Sequence, residues 1–308
     1  MSSKVEAKRH HFLPQQAYLR RFSIAGKGEK IAVYRRGKAP FVTSLINVGV
    51  ETDLYSLINQ QGGLDRRLET EVLSSLDGRA VGVMDLLNNE PNKVALNTEE
   101  LDTIHDSVAL AMLRTPAFRD NLNRLDVELL ERGERADPTI RSSLRQMNLA
   151  EEAIDFYIQA GLARAREIVA HPNYWLVRVG RFLELTAPVL RDKSAEILET
   201  DEIIITSDNP VVYDYNLGLL RSDLVFPIGS HRVLVFRTSC SRTYEAAFIP
   251  VRRITRAQAR DLNLQTIKFA EQALFASVER QGIHRLLNAA KPPARMSLAE
   301  RRFDVGNT

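Results

Sequence analysis

LVFPIGSHRVLVFRT, residues 224–238, decides the fold class. Two runs rich in Val, Leu and Phe, at 224–228 and 232–238, are too short for helices and are separated by the turn signal Gly229-Ser230, so they read as paired strands. Runs of the same kind lie upstream at 202–206 and 211–213 and downstream at 244–251, divided by Asn209-Pro210, Leu217-Gly218 and Ser241-Arg242. Beginning near Ala195, an antiparallel meander is the economical arrangement. Thr255 with Gln258 then forms a capping box for a final long helix carrying Leu262, Ile267, Leu274 and Val278 and ended by Gly282.

Before residue 195 the apolar period changes from two to about 3.6. Gly62-Gly63 precedes a predicted helix over 64–88, with Leu64, Leu68, Val72 and Leu76 inward, and Val83 and Leu86 possible continuations of that face. Asn97 followed by Glu100 opens a helix with Leu101, Ile104, Val108 and Met112 on one stripe, and Thr115-Pro116 ends it and starts the next. Asp137-Pro138 and His171-Pro172 repeat the device. Near the N-terminus, Pro14 starts a short helix with Tyr18, Leu19 and Phe22 on one face, and strands at 30–35 and 41–43 flank a hairpin turn. The chain therefore reads as α+β: a central helical bundle packed with a mainly antiparallel β-meander and a long C-terminal helix. One domain is expected over 1–290, with a flexible tail over 291–308.

The 44% hydrophobic and 26% charged composition of the 308 residues is that of a globular protein. The single Cys240 excludes an intramolecular disulfide framework and every multi-cysteine metal motif. Residues 1–11 mix charges without an apolar stretch, and no window approaches the roughly 18 apolar residues of a spanning helix, so a cytoplasmic protein with no membrane partner is expected. The net charge of +3 hides a segregation: residues 1–50 carry +8 and residues 221–308 carry +8, with −8 over 51–110 and −5 over 111–220. If the two basic ends meet in the fold, they form a surface able to attract nucleic acid or another phosphate-containing ligand; if they pair with the acidic middle, they do not.

No complete catalytic signature is present. G-x-x-x-x-G-K-[ST], G-x-S-x-G and H-E-x-x-H are missing, and Ser207-Asp208-Asn209 lacks the S-x-x-K and K-T-G partners of penicillin-binding enzymes. The most informative constellation is His10-His11-Phe12-Leu13-Pro14, two imidazoles just before a helix N-terminus, where free N–H groups favour an anion. His11 is the candidate acid or base, or it caps the helix or packs on Phe12. Glu51 and Asp53, two apart on an extended segment, share a face and are candidate ligands for a divalent metal, or else are exposed turn acids. Asp208, in the turn 206–210 between two strands, is the second candidate catalytic group, or it hydrogen-bonds its own turn. Arg20, Arg21 and Arg114 are candidate phosphate clamps, since guanidinium is the better fork for phosphate. His105 lies on an apolar stripe and reads as a core histidine.

The ordered set HHFLP-x-x-x-YLRRF at 10–22, KI-x-VY at 30–34, V-x-VE-x-D-x-Y at 48–55, RTP at 114–116, SDNPV at 207–211 and FPI at 226–228 resembles the bacterial family catalogued as domain of unknown function 4238. The resemblance implies a soluble bacterial protein and brings no reaction with it. Two function classes follow from the residues. In one, the His, Arg and Asp groups form a buried polar network in a non-catalytic sensor or interaction module related to phosphate or nucleic acid. In the other, His11 and the carboxylates serve a metal-dependent phosphodiester hydrolase, a nuclease of a defence system. The first requires a closed network, the second an open cleft shared by His11, Glu51 and Asp208.

Overall fold

The computed structural model describes residues 9–11, 16–52, 57–58, 63–65, 73–134, 138–171, 174–214, 218–238 and 248–291. Its helices are α1 (Gln16–Leu19), continued by a 3-10 turn Arg20–Phe22, α2 (Ser74–Asn89), α3 (Thr98–Leu113), α4 (Pro116–Glu134), α5 (Pro138–Gln146), α6 (Glu151–Ala170), α7 (Tyr174–Arg191), α8 (Gly218–Arg221), α9 (Arg256–Phe269) and α10 (Gln281–Ala289). The start of α3 is fixed by a reciprocal capping box: Asn97 Oδ1 accepts from the Glu100 amide at 2.9 Å and the Glu100 carboxylate accepts from the Asn97 amide at 2.8 Å. Its stripe buries Ile104 and Val108, while Leu101 and Met112 are partly buried at the edge. Thr115 then accepts from the Phe118 amide, and Pro116 occupies the first position of α4, where its missing N–H costs nothing. No helix among the described residues is long and apolar enough to cross a membrane.

The strands are β1 (Arg9–His11), β2 (Lys30–Arg35), β3 (Phe41–Ser44), β4 (Val50–Thr52), β5 (Leu57–Ile58), β6 (Leu64–Asp65), β7 (Lys93–Ala95), β8 (Ser194–Glu199), β9 (Thr206–Ser207), β10 (Leu224–Gly229), β11 (Arg232–Arg237), β12 (Phe248–Arg253) and β13 (Ala273–Ala276). The 224–238 stretch forms the expected hairpin, β10 with β11. It belongs to a five-stranded sheet of order β10-β11-β8-β12-β7, antiparallel except where β12 runs parallel to β8. A four-stranded antiparallel sheet, β3-β2-β13-β9, joins the two ends of the chain, because β2 pairs with β13. One apolar cluster runs from α1 (Leu19) and β2 (Ile31, Val33) through α2 and α3 to Phe226 of β10 and Phe236 of β11, so both sheets share a core with the first helices.

The architecture is α+β, with three details changed. The predicted single helix from Thr255 to Gly282 is interrupted: α9 ends at Phe269, Ala273–Ala276 becomes a fully buried strand, and α10 follows as a separate helix. The Thr255–Gln258 capping box is present as expected. The predicted helix over 64–88 begins instead at Ser74, after β6, and buries Val83, Met84 and Leu87 while Leu86 is exposed. The meander is likewise modified, since β8 sits between β11 and β12.

Candidate functional site

The short N-terminal helix places its side chains on opposite sides of a tight turn. Tyr18, Leu19 and Phe22 point into the core, Arg20 stays outside in an ion pair with Glu29 at 2.7 Å, and Arg21 turns toward α2. The Tyr18 hydroxyl donates to the Pro227 carbonyl at 2.7 Å and so receives a bond from the Thr206 hydroxyl, also at 2.7 Å. Its ring stacks on Phe226 with centroids 5.3 Å apart. Burial pushes the phenol well above its ordinary titration range, so Tyr18 is a neutral tie between α1, β9 and β10.

Beside Tyr18 lies a small cavity of about 50 Å³ walled by Arg21, Asp77, Arg114, Pro210 and Phe226 among others. Arg114, 4% exposed, reaches both oxygens of Asp77 from α2, at 3.0 and 3.3 Å. Arg21 donates to the Ala17 carbonyl at 3.0 Å, the Val81 carbonyl at 2.9 Å and Asp85 at 2.6 Å, while its Nε is buried without a partner. Two guanidiniums with their carboxylates thus close one end of the core. The space between them suits one or a few waters rather than a substrate.

Residues of four separated motifs meet here: Tyr18 and Arg21 of the first, Arg114 of RTP, Pro210 of SDNPV and Phe226 of FPI. The sequence model of the family described as "Protein of unknown function (DUF4238)" matches residues 9–280 of the 308. The chain belongs to the DUF4238 family. No curated protein and no solved structure matches it. In this DUF4238 chain the motifs therefore converge on a packed junction of α1, α2, α3 and β10.

The SDN triplet forms a second junction. Ser207 Oγ accepts from the Asn209 amide and donates to the Asn209 carbonyl, closing a tight local turn. That turn aims the Asp208 carboxylate at the segment between α9 and β13, where it accepts from the amides of Glu271 (3.0 Å), Gln272 (2.7 Å) and Ala273 (3.0 Å). Burial outweighs these bonds and pushes the Asp208 carboxyl up to about 6. Sequence reasoning missed the cation on the far side of the same segment. The Arg36 guanidinium donates to the carbonyls of Ala270 (2.8 Å), Glu271 (3.0 Å), Leu287 (2.5 Å) and Ala290 (2.6 Å). It neutralises the carbonyl ends of α9 and α10 together.

The remaining candidates fall elsewhere. His10 and His11 lie in β1, which pairs with β4 so that His10 stands opposite Glu51 and His11 opposite Val50. The first imidazole pair and the first candidate metal carboxylate therefore share a two-stranded ribbon rather than a helix N-terminus. Asp53 lies outside the described residues. Among the described residues no three His, Cys, Asp or Glu groups come together as a metal site. His105 is buried against Phe236 at 5.6 Å, and burial holds its imidazole down to about 4, so it stays neutral at physiological pH.

Proposed function

We propose that this DUF4238 protein is a non-catalytic binding module for a phosphate-bearing partner, nucleic acid or a phosphorylated small molecule. The observation that carries the reading is the pairing of β2 with β13, supported by the packing of α10 on β2. The sequence concentrates positive charge at its two ends, and this pairing puts those ends side by side. Lys30, Arg35 and Lys38 from one and Arg280, Arg285 and Lys291 from the other are all exposed around the shared sheet and α10. Clustered exposed cations of this kind attract polyanions through counterion release. The closed states of Arg21, Arg114 and Asp208 fit the same reading, because those groups are engaged in holding α1, α2 and the α9–β13 segment.

The pairing of β1 with β4, which sets His10 opposite Glu51, favours a second reading, a metal-dependent phosphodiester hydrolase that draws on the β1 histidines and Glu51. One pair of measurements separates the two. Fluorescence anisotropy with labelled RNA and DNA oligonucleotides is expected to show binding that weakens steeply with salt and is reduced in a Lys38→Glu, Arg285→Glu, Lys291→Glu variant. Incubation of RNA, DNA and nucleotides with Mg²⁺ or Mn²⁺ is expected to leave them intact. Turnover by the wild type that His11→Ala abolishes would replace the module with the hydrolase.

A further inference from the structure

A groove of about 1270 Å³ lies between the outer face of the β10-β11-β8 strands and α9, closed at one end by the last residues of α10. Its floor is apolar, formed by Leu198, Val225 and Val235 from the sheet and Leu262 from α9. Two aromatic rings, Tyr213 and Phe269, line it 6.0 Å apart. The charged lining is Arg221, Arg237, Lys268 and Lys291 against Asp214 and Asp223, a surplus of two positive charges. Arg237 and Asp223 already bind one another at 2.7 Å, so the surplus resides in exposed cations around the rim.

We infer that this groove binds a nucleoside phosphate, either free or at the end of a strand; the inference rests on the phosphate-binding reading above and gives it a seat. A planar base needs an apolar floor and an aromatic face, which Tyr213 and Phe269 supply. Its phosphate needs cations at the rim, which Lys268, Lys291 and Arg221 supply. Gln265 on α9 and the carboxylate of Asp214 provide polar groups for the base edge and ribose hydroxyls, contacts that an acyl chain would leave unmatched. The size exceeds that of the Arg21–Arg114 cavity by more than an order of magnitude, which makes the groove the better seat. Arg36 binds the carbonyls of Ala270 and Ala290 beside this wall, which anchors the backbone next to Lys268 and Lys291.

Isothermal titration calorimetry with AMP, UMP, inorganic phosphate and a 5′-phosphorylated hexanucleotide tests the inference. A Lys268→Glu, Lys291→Glu variant should bind nucleotides about tenfold or more weakly. Tyr213→Ala should lose about tenfold while Tyr213→Phe binds as the wild type does. Arg181→Glu, on α7 and outside both the groove lining and the β2–β13 patch, should change affinity about twofold or less. Preference for the hexanucleotide over AMP identifies the strand end as the source, and the reverse identifies the free nucleotide. If nucleotides bind but the Lys268/Lys291 variant matches the wild type, the groove is wrong and the phosphate reading stands. Equal affinity for phosphate and AMP, unchanged by Tyr213→Ala, removes the nucleoside. If none of these probes nor a longer RNA or DNA binds, both readings fall. Lys268 and Lys291 are exposed, so their charge reversal tests the site even if Tyr213→Ala does not fold.

Discussion

Asp208 and Arg36 hold the same residue from its two chemical ends: Asp208 accepts the Glu271 N–H at 3.0 Å, and Arg36 donates to the Glu271 carbonyl at 3.0 Å. The segment joining α9 to β13 is therefore clamped by an acid contributed from between β9 and β10 and a base contributed from just after β2. Burial lowers the Arg36 pKa and the Asp208 charge opposes that shift, so each group's ionisation favours the other's.

Removing the acid should loosen the clamp. Asp208→Asn keeps the shape but presents an amide donor where an acceptor is needed, and a loss of about 1–3 kcal/mol is expected in urea denaturation. Because Arg36 holds the same segment, Asp208→Asn and Arg36→Met should be non-additive by more than about 0.5 kcal/mol in a double-mutant cycle. Additive effects would show that the two contacts act independently.

Acid dependence should hide two opposed contributions. The folded Asp208 titrates at about 6, above its ordinary 3.8, so its contribution to stability is full below pH 4 and is lost as pH rises through 6. His105 is depressed from 6.5 to about 4, so its contribution is present above 6.5 and is lost as pH falls through 4. Each amounts to on the order of 2–3 kcal/mol, and between pH 4 and 6 they offset each other. Relative to the wild type, His105→Gln should lose stability as pH rises across that window and Asp208→Asn should gain it. Parallel pH profiles for the three proteins would contradict both assignments.

The Arg114–Asp77 pair should respond unequally to loss of either member. Asp77→Asn takes a bound carboxylate away from a guanidinium that is 4% exposed and should cost about 3 kcal/mol. Arg114→Met leaves a carboxylate that is 29% exposed and partly hydrated, so its cost should be smaller, about 1–2 kcal/mol. Thermal melts of the two variants at pH 7 check the order.

Gly229 should accept no side chain while Asn88 is in place. A Cβ there would lie 2.3 Å from Asn88 Oδ1, and Asn88 is held by its bonds to the Met84 and Ile228 carbonyls. Gly229→Ala is expected to cost about 1–3 kcal/mol, and adding Asn88→Ala should recover part of it. Chemical denaturation of the single and double variants reads this directly.

Local chemistry made the β10–β11 hairpin and both capping boxes legible, since each depends on residues within a few positions of one another. It misread Ala273–Ala276, whose composition suits a helix as well as a strand; pairing on both sides, with β2 and β9, decides the outcome. Ser207 and Asn209 do form the expected local turn, but the amides that Asp208 binds lie more than sixty residues away and leave no local trace. Arg36 was missed for the same reason. It stands in a hairpin turn, where an exposed arginine is unremarkable, and only the arrival of two helix ends gives it four acceptors. Arg21 and Arg114, whose forks suit phosphate, do meet at one cavity, whereas Arg20 points away from it.

The β2–β13 partnership also bears on how the protein is made. A ribosome releases the hairpin of β2 and β3 first, and β13, the strand that flanks it, begins more than 200 residues further along the chain. Until then Ile31, Val33 and Tyr34, all enclosed in the finished protein, have no neighbour on that side. Until β13 arrives that edge stays open to pairing with another chain, so fragments that stop before Ala273 should aggregate more readily than the whole chain.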